Sequence, residues 1–274
     1  MSDFNPLFRV AAALALAALQ TFAAPQATAT NAHCASGAPA LRLETGAGTI
    51  AVRLFPDAAP DVVAALLRLT DDGAEGTATL SGVPFTYTRP NVELRTAAVS
   101  ASLSYPTRID ARALALDAQR LETPGDAMNA LQDELLPAYR RARRSGTATP
   151  QLERWVQAWY EDFDAAFLIG VSRQELNEAL GHVYTGGLAS RAVRRGTVAL
   201  VPASPGRSSS RLSIALTDLP ERTGTWMVVG EVVDGLDTAS AIATAPLDRP
   251  RHVRSRTHAP RDPVLIDTAR LECG

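Results

Sequence analysis

Cys34 and Cys273, a handful of histidines and a positive charge carried wholly by arginine are the side chains from which this 274-residue chain would have to build its chemistry. Lysine is absent, so Schiff-base and lysine general-base mechanisms are excluded. His182, His252 and His258 lack the Cys, Asp or Glu spacing of a metal site, and neither a Gly-x-Ser-x-Gly elbow nor a glycine-rich phosphate loop is found. Hydrolase and nucleotide-binding readings are set aside on that ground, and no cofactor or metal is expected. The two thiols, an even number, read as one disulfide if the protein is exported, or else as two free thiols at frayed ends.

The balance of 27 Lys+Arg against 29 Asp+Glu gives a net charge of −2 and offers no phosphate-neutralising surface, so no nucleic-acid partner is expected. A hydrophobic fraction of 46% is too high for disorder, and the length suffices for one large or two small domains. The Arg-only usage, alongside heavy use of Ala, is read as a coding bias.

The N-terminus supplies the compartment. Arg9 precedes the apolar run Val10 to Leu19 and a small-residue stretch, with no further charge until Arg42. This reads as a signal peptide over 1–29, cleaved after Ala23 or Ala29. The apolar core of about 14 residues falls short of the ~20 that span a bilayer, so an anchor is the weaker reading. An exported protein, periplasmic or secreted, without an integral span after cleavage is the expectation.

Alternation of apolar and polar residues from Leu41 to Phe55 around a Gly-containing turn predicts a β-hairpin. Pro56 and Pro60 frame a helix ended by Asp71-Asp72-Gly73. Short strands are expected at 85–88 and 92–96, across the turn signal Arg89-Pro90-Asn91. Beyond Tyr105-Pro106 the alternation gives way to helical patterns at 126–144 and 150–168, and at a helix opened by the capping-box pair Ser172 and Glu175. Strand character resumes at 196–201, 212–216, 226–233 and 264–271. A helical block thus interrupts a β-rich chain.

Two features of that block have bland readings beside functional ones. Arg140, Arg141, Arg143 and Arg144 crowd a helix end, where cations are favoured anyway; an anionic contact is the minority reading. The aromatic series Trp155, Trp159, Tyr160, Phe163 and Phe167 is either core among the helices or a face for a protein partner. The stretch 249–256, rich in Arg, reads as a surface loop.

The β-rich flanks resemble the cyclophilin-type peptidyl-prolyl isomerases, the bacterial members in particular. Leu54-Phe55-Pro56-Asp57 and Ala59-Pro60 before a helix are similar to that family's opening. Arg195 to Leu200 looks like its Gly-led strand. The run Ser204 to Leu216 aligns without a gap with its Gly-Pro-Asn-Thr-Asn-Gly-Ser-Gln-Phe-Phe-Ile-Thr-Leu stretch, and Val228 to Asp237 is close to its Val-Phe-Gly-Lys-Val-Val-Glu-Gly-Met-Asp. The matches cover roughly 41–97 and 192–272, in family order. The resemblance implies a mainly β fold: a closed eight-stranded antiparallel barrel capped by two helices, its first part at 34–106 and its second at 191–274. An α-helical subdomain is then inserted at 107–190. It also implies first and last strands side by side, in agreement with a Cys34–Cys273 bridge.

A prolyl isomerase acts on a barrier of ~18–20 kcal/mol set by amide resonance and needs a donor that draws the nitrogen lone pair out of conjugation. In the family an Arg of a Phe-His-Arg motif does this, without metal or cofactor. Here that motif reads Phe85-Thr86-Tyr87, so the guanidinium is missing. Phe-Met-x-Gln becomes Val92-Glu93-Leu94-Arg95, Gln-Phe-Phe becomes Arg211-Leu212-Ser213, and the His before Val-Phe-Gly becomes Trp226. Two expectations follow. Either Arg95 or Arg211 replaces the missing Arg as catalytic residue, with Phe85, Tyr87, Val92, Leu212, Ser213 and Trp226 binding a proline-containing client, and a weakened isomerase survives. Or the domain is a non-catalytic peptide-binding or chaperone-like module using the groove or the helices.

Overall fold

The opening hairpin forms as its alternation demands. In the computed structural model, which describes residues 38–70, 79–100, 104–248 and 258–273, β1 (Pro39–Thr45) and β2 (Gly48–Leu54) pair antiparallel. Their apolar positions Leu41, Leu43, Ile50, Val52 and Leu54 all turn inward and are buried. Pro60 then starts α1 (Pro60–Arg68) within its first turn, where a missing N–H costs nothing. The helix lays Val62, Val63 and Leu66 on the same core.

The remaining strands are β3 (Phe85–Arg89), β4 (Glu93–Thr96), β5 (Ser104–Pro106), β6 (Thr197–Ser204), β7 (Arg207–Ala215), β8 (Met227–Asp234) and β9 (Ile266–Cys273). Among the described residues they make one antiparallel sheet in the order β3-β4-β7-β6-β8-β2-β1-β9, with the short β5 added beside β7. The sheet is curled. Its two ends approach through bonds from the Gly82 N–H to the Ile266 carbonyl, 2.7 Å, and from the Phe85 N–H to the Val264 carbonyl, 2.9 Å. First and last strands do pair, with Pro39 opposite Cys273. Cys34 and the segment 1–29 lie outside the described residues, as does 249–256.

A last helix, α6 (Leu236–Ala243), buries Ala239, Ile242 and Ala243 against the sheet interior. Gly235 precedes it at φ +80°, and a Cβ there would lie 2.0 Å from the Thr49 carbonyl oxygen. Only glycine fits where β8 passes over the first hairpin.

Between β5 and β6 come α2 (Pro124–Asn129), α3 (Leu136–Ser145), α4 (Pro150–Asp162) and α5 (Arg173–Ala179). A π-helical turn, Ala130–Leu135, joins α2 to α3, and the Leu136 N–H reaches back to the Leu131 carbonyl. Pro137 explains it: the ring has no N–H and excludes the carbonyl four residues back, so the helix widens to pass it. The helix expected over 150–168 stops at 162, because Phe163 adopts a left-handed conformation, φ +51°. Ser172 and Glu175 form the expected capping box. These helices have their own apolar cluster, with Leu131, Leu152, Leu168 and Leu176 at its centre, and Trp155, Trp159 and Phe167 pack against it. Most of the aromatic series is therefore core, and only Tyr160 and Phe163 stand exposed. The four arginines of α3 are exposed at its end. No described helix is long and apolar enough to cross a membrane.

Candidate functional site

Strand register brings the expected residues together. Tyr87 of β3 faces Arg95 of β4, which faces Ser213 of β7, so three strands contribute to one row across the sheet. Successive side chains of a strand point to opposite faces. Glu93 therefore shares the face of Arg95, and Arg211 shares that of Ser213. Arg89 and Asn91 make the turn between β3 and β4, with the Val92 N–H on the Arg89 carbonyl at 3.0 Å.

Glu93 is the centre of the site. Its side chain is fully buried, and each carboxylate oxygen accepts from two arginines. Arg95 donates from Nε and Nη2, both at 2.8 Å. Arg222 donates from Nη1 at 2.7 Å and Nη2 at 2.9 Å. The Ser213 hydroxyl lies 3.4 Å from Oε2. Burial alone pushes the Glu93 carboxyl upward, yet the hydrogen bonds from Arg95 and Arg222 together outweigh it. The group titrates below its ordinary value and is held ionised.

Aromatic rings complete the cluster. The Arg95 guanidinium sits 4.3 Å from the centre of the Tyr87 ring and 5.0 Å from that of Trp226. Arg222 sits 4.3 Å from Trp226. His258 leans on the other partner, 4.8 Å from the Tyr87 ring, and its buried Nδ1 has no hydrogen-bond partner among the described residues. Beneath this stack lies a buried apolar cluster of Phe55, Ala58, Val193, Ala199, Ala215, Leu219 and Val228, against which the half-buried Val92 and Trp226 pack. A polypeptide lying here would meet the half-buried Val92, Tyr87 and Trp226 side chains and a guanidinium stack already bonded to its own carboxylate.

The expected site residues divide accordingly. Tyr87, Val92, Ser213, Trp226 and Arg95 come together, and Arg211 stands exposed on the face of Ser213, with no ion pair among the described residues. Phe85 and Leu212 do not join them. Both are buried in the sheet interior with Leu94, Val198 and Ile214. Leu212 alternates with Arg211 and Ser213 on β7, and the register of β3 shifts between Phe85 and Tyr87, so Phe85 leaves the face of Tyr87 and turns inward. Sequence reasoning noted the acid at 93 but missed Arg222, which arrives from a one-turn helix, Pro220–Arg222, far along the chain. No group of three metal-ligating side chains occurs among the described residues.

The family model for cyclophilin-type peptidyl-prolyl cis-trans isomerases matches residues 40–271. Among solved structures the chain is similar to a cyclophilin-type peptidyl-prolyl cis-trans isomerase of Cryptosporidium parvum, determined in the presence of the dipeptide Ala-Pro. That match has 13% identity and a TM-score of 0.46, and covers 86% of this chain and 99% of that one. A second crystal structure of the same isomerase matches at 12% identity and a TM-score of 0.45, covering 87% and 99%. No curated protein sequence matches the chain.

Proposed function

Because the chain belongs to the cyclophilin-type peptidyl-prolyl cis-trans isomerase family, we propose that its groove binds proline-containing segments of exported polypeptides, with isomerisation weakened or lost. One observation carries this reading: the guanidinium nearest the family's catalytic position, that of Arg95, is chelated by Glu93 and held between Tyr87 and Trp226. Catalysis comes only from interactions stronger in the transition state than in the ground state. A guanidinium already paired with a carboxylate has little left to give a prolyl nitrogen, whereas the half-buried rings of Tyr87 and Trp226 still offer contact area to a peptide.

The migrated-charge alternative rests on Arg211, which is exposed beside the same row and lacks an ion pair among the described residues. A protease-coupled assay on an Xaa-Pro peptide, paired with direct binding of that peptide, separates the readings. Binding without a rate above the uncatalysed one, retained in Arg95→Ala, supports the proposal. A clear rate that Arg211→Ala abolishes overturns the loss of activity. Absence of binding removes the groove reading and leaves the helices as the module's working surface.

The same proposal takes 1–29 as a bacterial signal peptide, the sheet as a closed barrel, and 107–190 as an inserted subdomain with its own core. It joins Cys34 to Cys273. Cys34 lies close in sequence to Pro39, which pairs with Cys273, and this proximity supports the bridge. Mass analysis of the unreduced exported protein, two hydrogens lighter if bridged, checks it.

A further inference from the structure

The loop 220–226 delivers both Arg222 and Trp226 to the groove, and its opposite side is held by the helical block. Gly224 sits at the centre of that loop, buried, at φ +84°. Its carbonyl accepts from the Tyr184 hydroxyl at 3.0 Å, and that hydroxyl accepts in turn from Asn177 Nδ2 at 2.8 Å. Asn177 belongs to α5 and is 1% exposed, so its amide is committed to this bond. A Cβ on Gly224 would lie 2.6 Å from Leu116 Cδ1 and 3.2 Å from Asn177 Nδ2. The loop backbone is thus pressed directly onto the Leu116 and Asn177 side chains, with no side chain of its own between.

Within the loop the fixing continues to the groove. The Trp226 N–H bonds the Arg222 carbonyl at 3.0 Å, and the Thr225 hydroxyl bonds the same carbonyl at 3.1 Å. On the far side the Thr223 hydroxyl accepts from the Val193 N–H at 3.0 Å. A shift of the Gly224 carbonyl therefore cannot be absorbed inside the loop. It must move Arg222 away from Glu93, or Trp226 away from Arg95.

We infer that Tyr184 and Asn177 are positioning residues of the groove: through the Gly224 carbonyl they set the placement of Arg222 and Trp226, so that the helical block is a working part of the peptide site. This rests on the groove being the peptide site, but the placement itself is readable without a peptide. Buried polar networks of this kind hold one arrangement when every member is satisfied, and a missing member is costly.

The test uses the full chain with Trp155→Phe and Trp159→Phe, which leaves Trp226 as the one tryptophan. Tyr184→Phe removes the donor to Gly224 and the acceptor for Asn177 with little change in volume. Tyr139→Phe, in the same helical block but away from the loop, is the control. Asn177→Leu is a second route to the same effect, leaving the Tyr184 hydroxyl its bond to Gly224. The expected result for Tyr184→Phe is a shift of Trp226 emission and about a fivefold loss of affinity for an Xaa-Pro peptide, with a smaller change for Asn177→Leu and none for Tyr139→Phe. If Tyr184→Phe does not fold, Asn177→Leu carries the test alone. Unchanged emission and affinity in a folded variant overturn the inference. An emission shift in a protein that binds no peptide even as wild type upholds the placement and removes the peptide reading instead.

Discussion

Glu93 and Arg222, 129 positions apart in the chain, meet through two hydrogen bonds of 2.7 and 2.9 Å. Arg95 approaches the same carboxylate from its own strand two residues away. A strand of the first sheet segment and a one-turn helix of the second are thereby tied at a point buried from water. Arg222 also pairs through Nε with the exposed Glu221 at 3.5 Å, and the faces of Tyr87 and Trp226 flank the two guanidiniums.

Replacing Glu93 by Gln removes the charge that both arginines were arranged around. Breaking a buried ion pair from one side is costly because the partner is left uncompensated. Both guanidiniums retain some exposure, which softens the loss, so the expected destabilisation is about 2–3 kcal/mol. Urea unfolding of Glu93→Gln against wild type measures it; a midpoint equal to wild type would contradict the pairing.

The same carboxylate makes a pH signature. Its folded pKa lies below the unfolded one, near the ordinary glutamate value of about 4.3. The stability it contributes is therefore fully present above that value and is lost as pH falls through the depressed folded pKa. Acid titration of stability should show a steeper decline below about pH 4.3 in wild type than in Glu93→Gln. Parallel curves would show that Glu93 carries no such linkage.

How much of this was open to sequence reasoning depends on the reach of each signal. Strand positions followed from alternation, since Leu41, Leu43, Ile50 and Val52 bury one face and can do so only as a hairpin. The capping pair Ser172 and Glu175 likewise acts over three residues and was legible. Tyr87, Arg95 and Ser213 could be assigned to one site only through a family resemblance; alternation alone cannot tell β3 which strand it will meet. Arg222 carried no local signal at all. It follows a proline in a single helical turn, and its meaning comes from Glu93, which the fold alone brings near. Phe85 and Leu212 show the converse: the motif placed them with the site residues, but the pleat turns Leu212 into the core, and a register shift between Phe85 and Tyr87, which no local pattern announces, does the same for Phe85.

Restoring an arginine at position 87 alone should gain little isomerase activity. The Tyr87 ring lies against the Arg95 guanidinium, so a second guanidinium there would face a like charge. Tyr87→Arg combined with Arg95→Gln removes that repulsion and frees a charged donor. Its protease-coupled rate should exceed that of Tyr87→Arg by on the order of tenfold, the scale of one charge-assisted hydrogen bond. Equal rates for the single and double variants would sink this account.

Gly235→Ala tests the close passage of β8 over the first hairpin. The new Cβ would penetrate the Thr49 carbonyl, and the backbone is left-handed besides. Left-handed strain of about 1–2 kcal/mol and overpacking of about 1–3 kcal/mol should together cost about 3 kcal/mol or more. Thermal unfolding followed by circular dichroism reads the loss directly, and a melting temperature within a degree of wild type would contradict the geometry.

The helical block offers the last test, because its apolar cluster shares no buried member with that of the sheet. Leu131, fully buried in the π-helical turn, can be cut back to Ala at a cost of about 3 kcal/mol, the usual scale for a core leucine. If the block is a folding unit of its own, that loss falls on it first. Amides of 124–179 should then exchange faster with solvent while those of β6, β7 and β8 keep their protection. The Gly224 carbonyl is the exception on the sheet side, since it hangs from Tyr184. Exchange at Thr225 and Trp226 should therefore rise together with the helices. Uniform acceleration across helices and strands would mean one cooperative unit, and silence at 225–226 would mean that the block and the groove loop move independently.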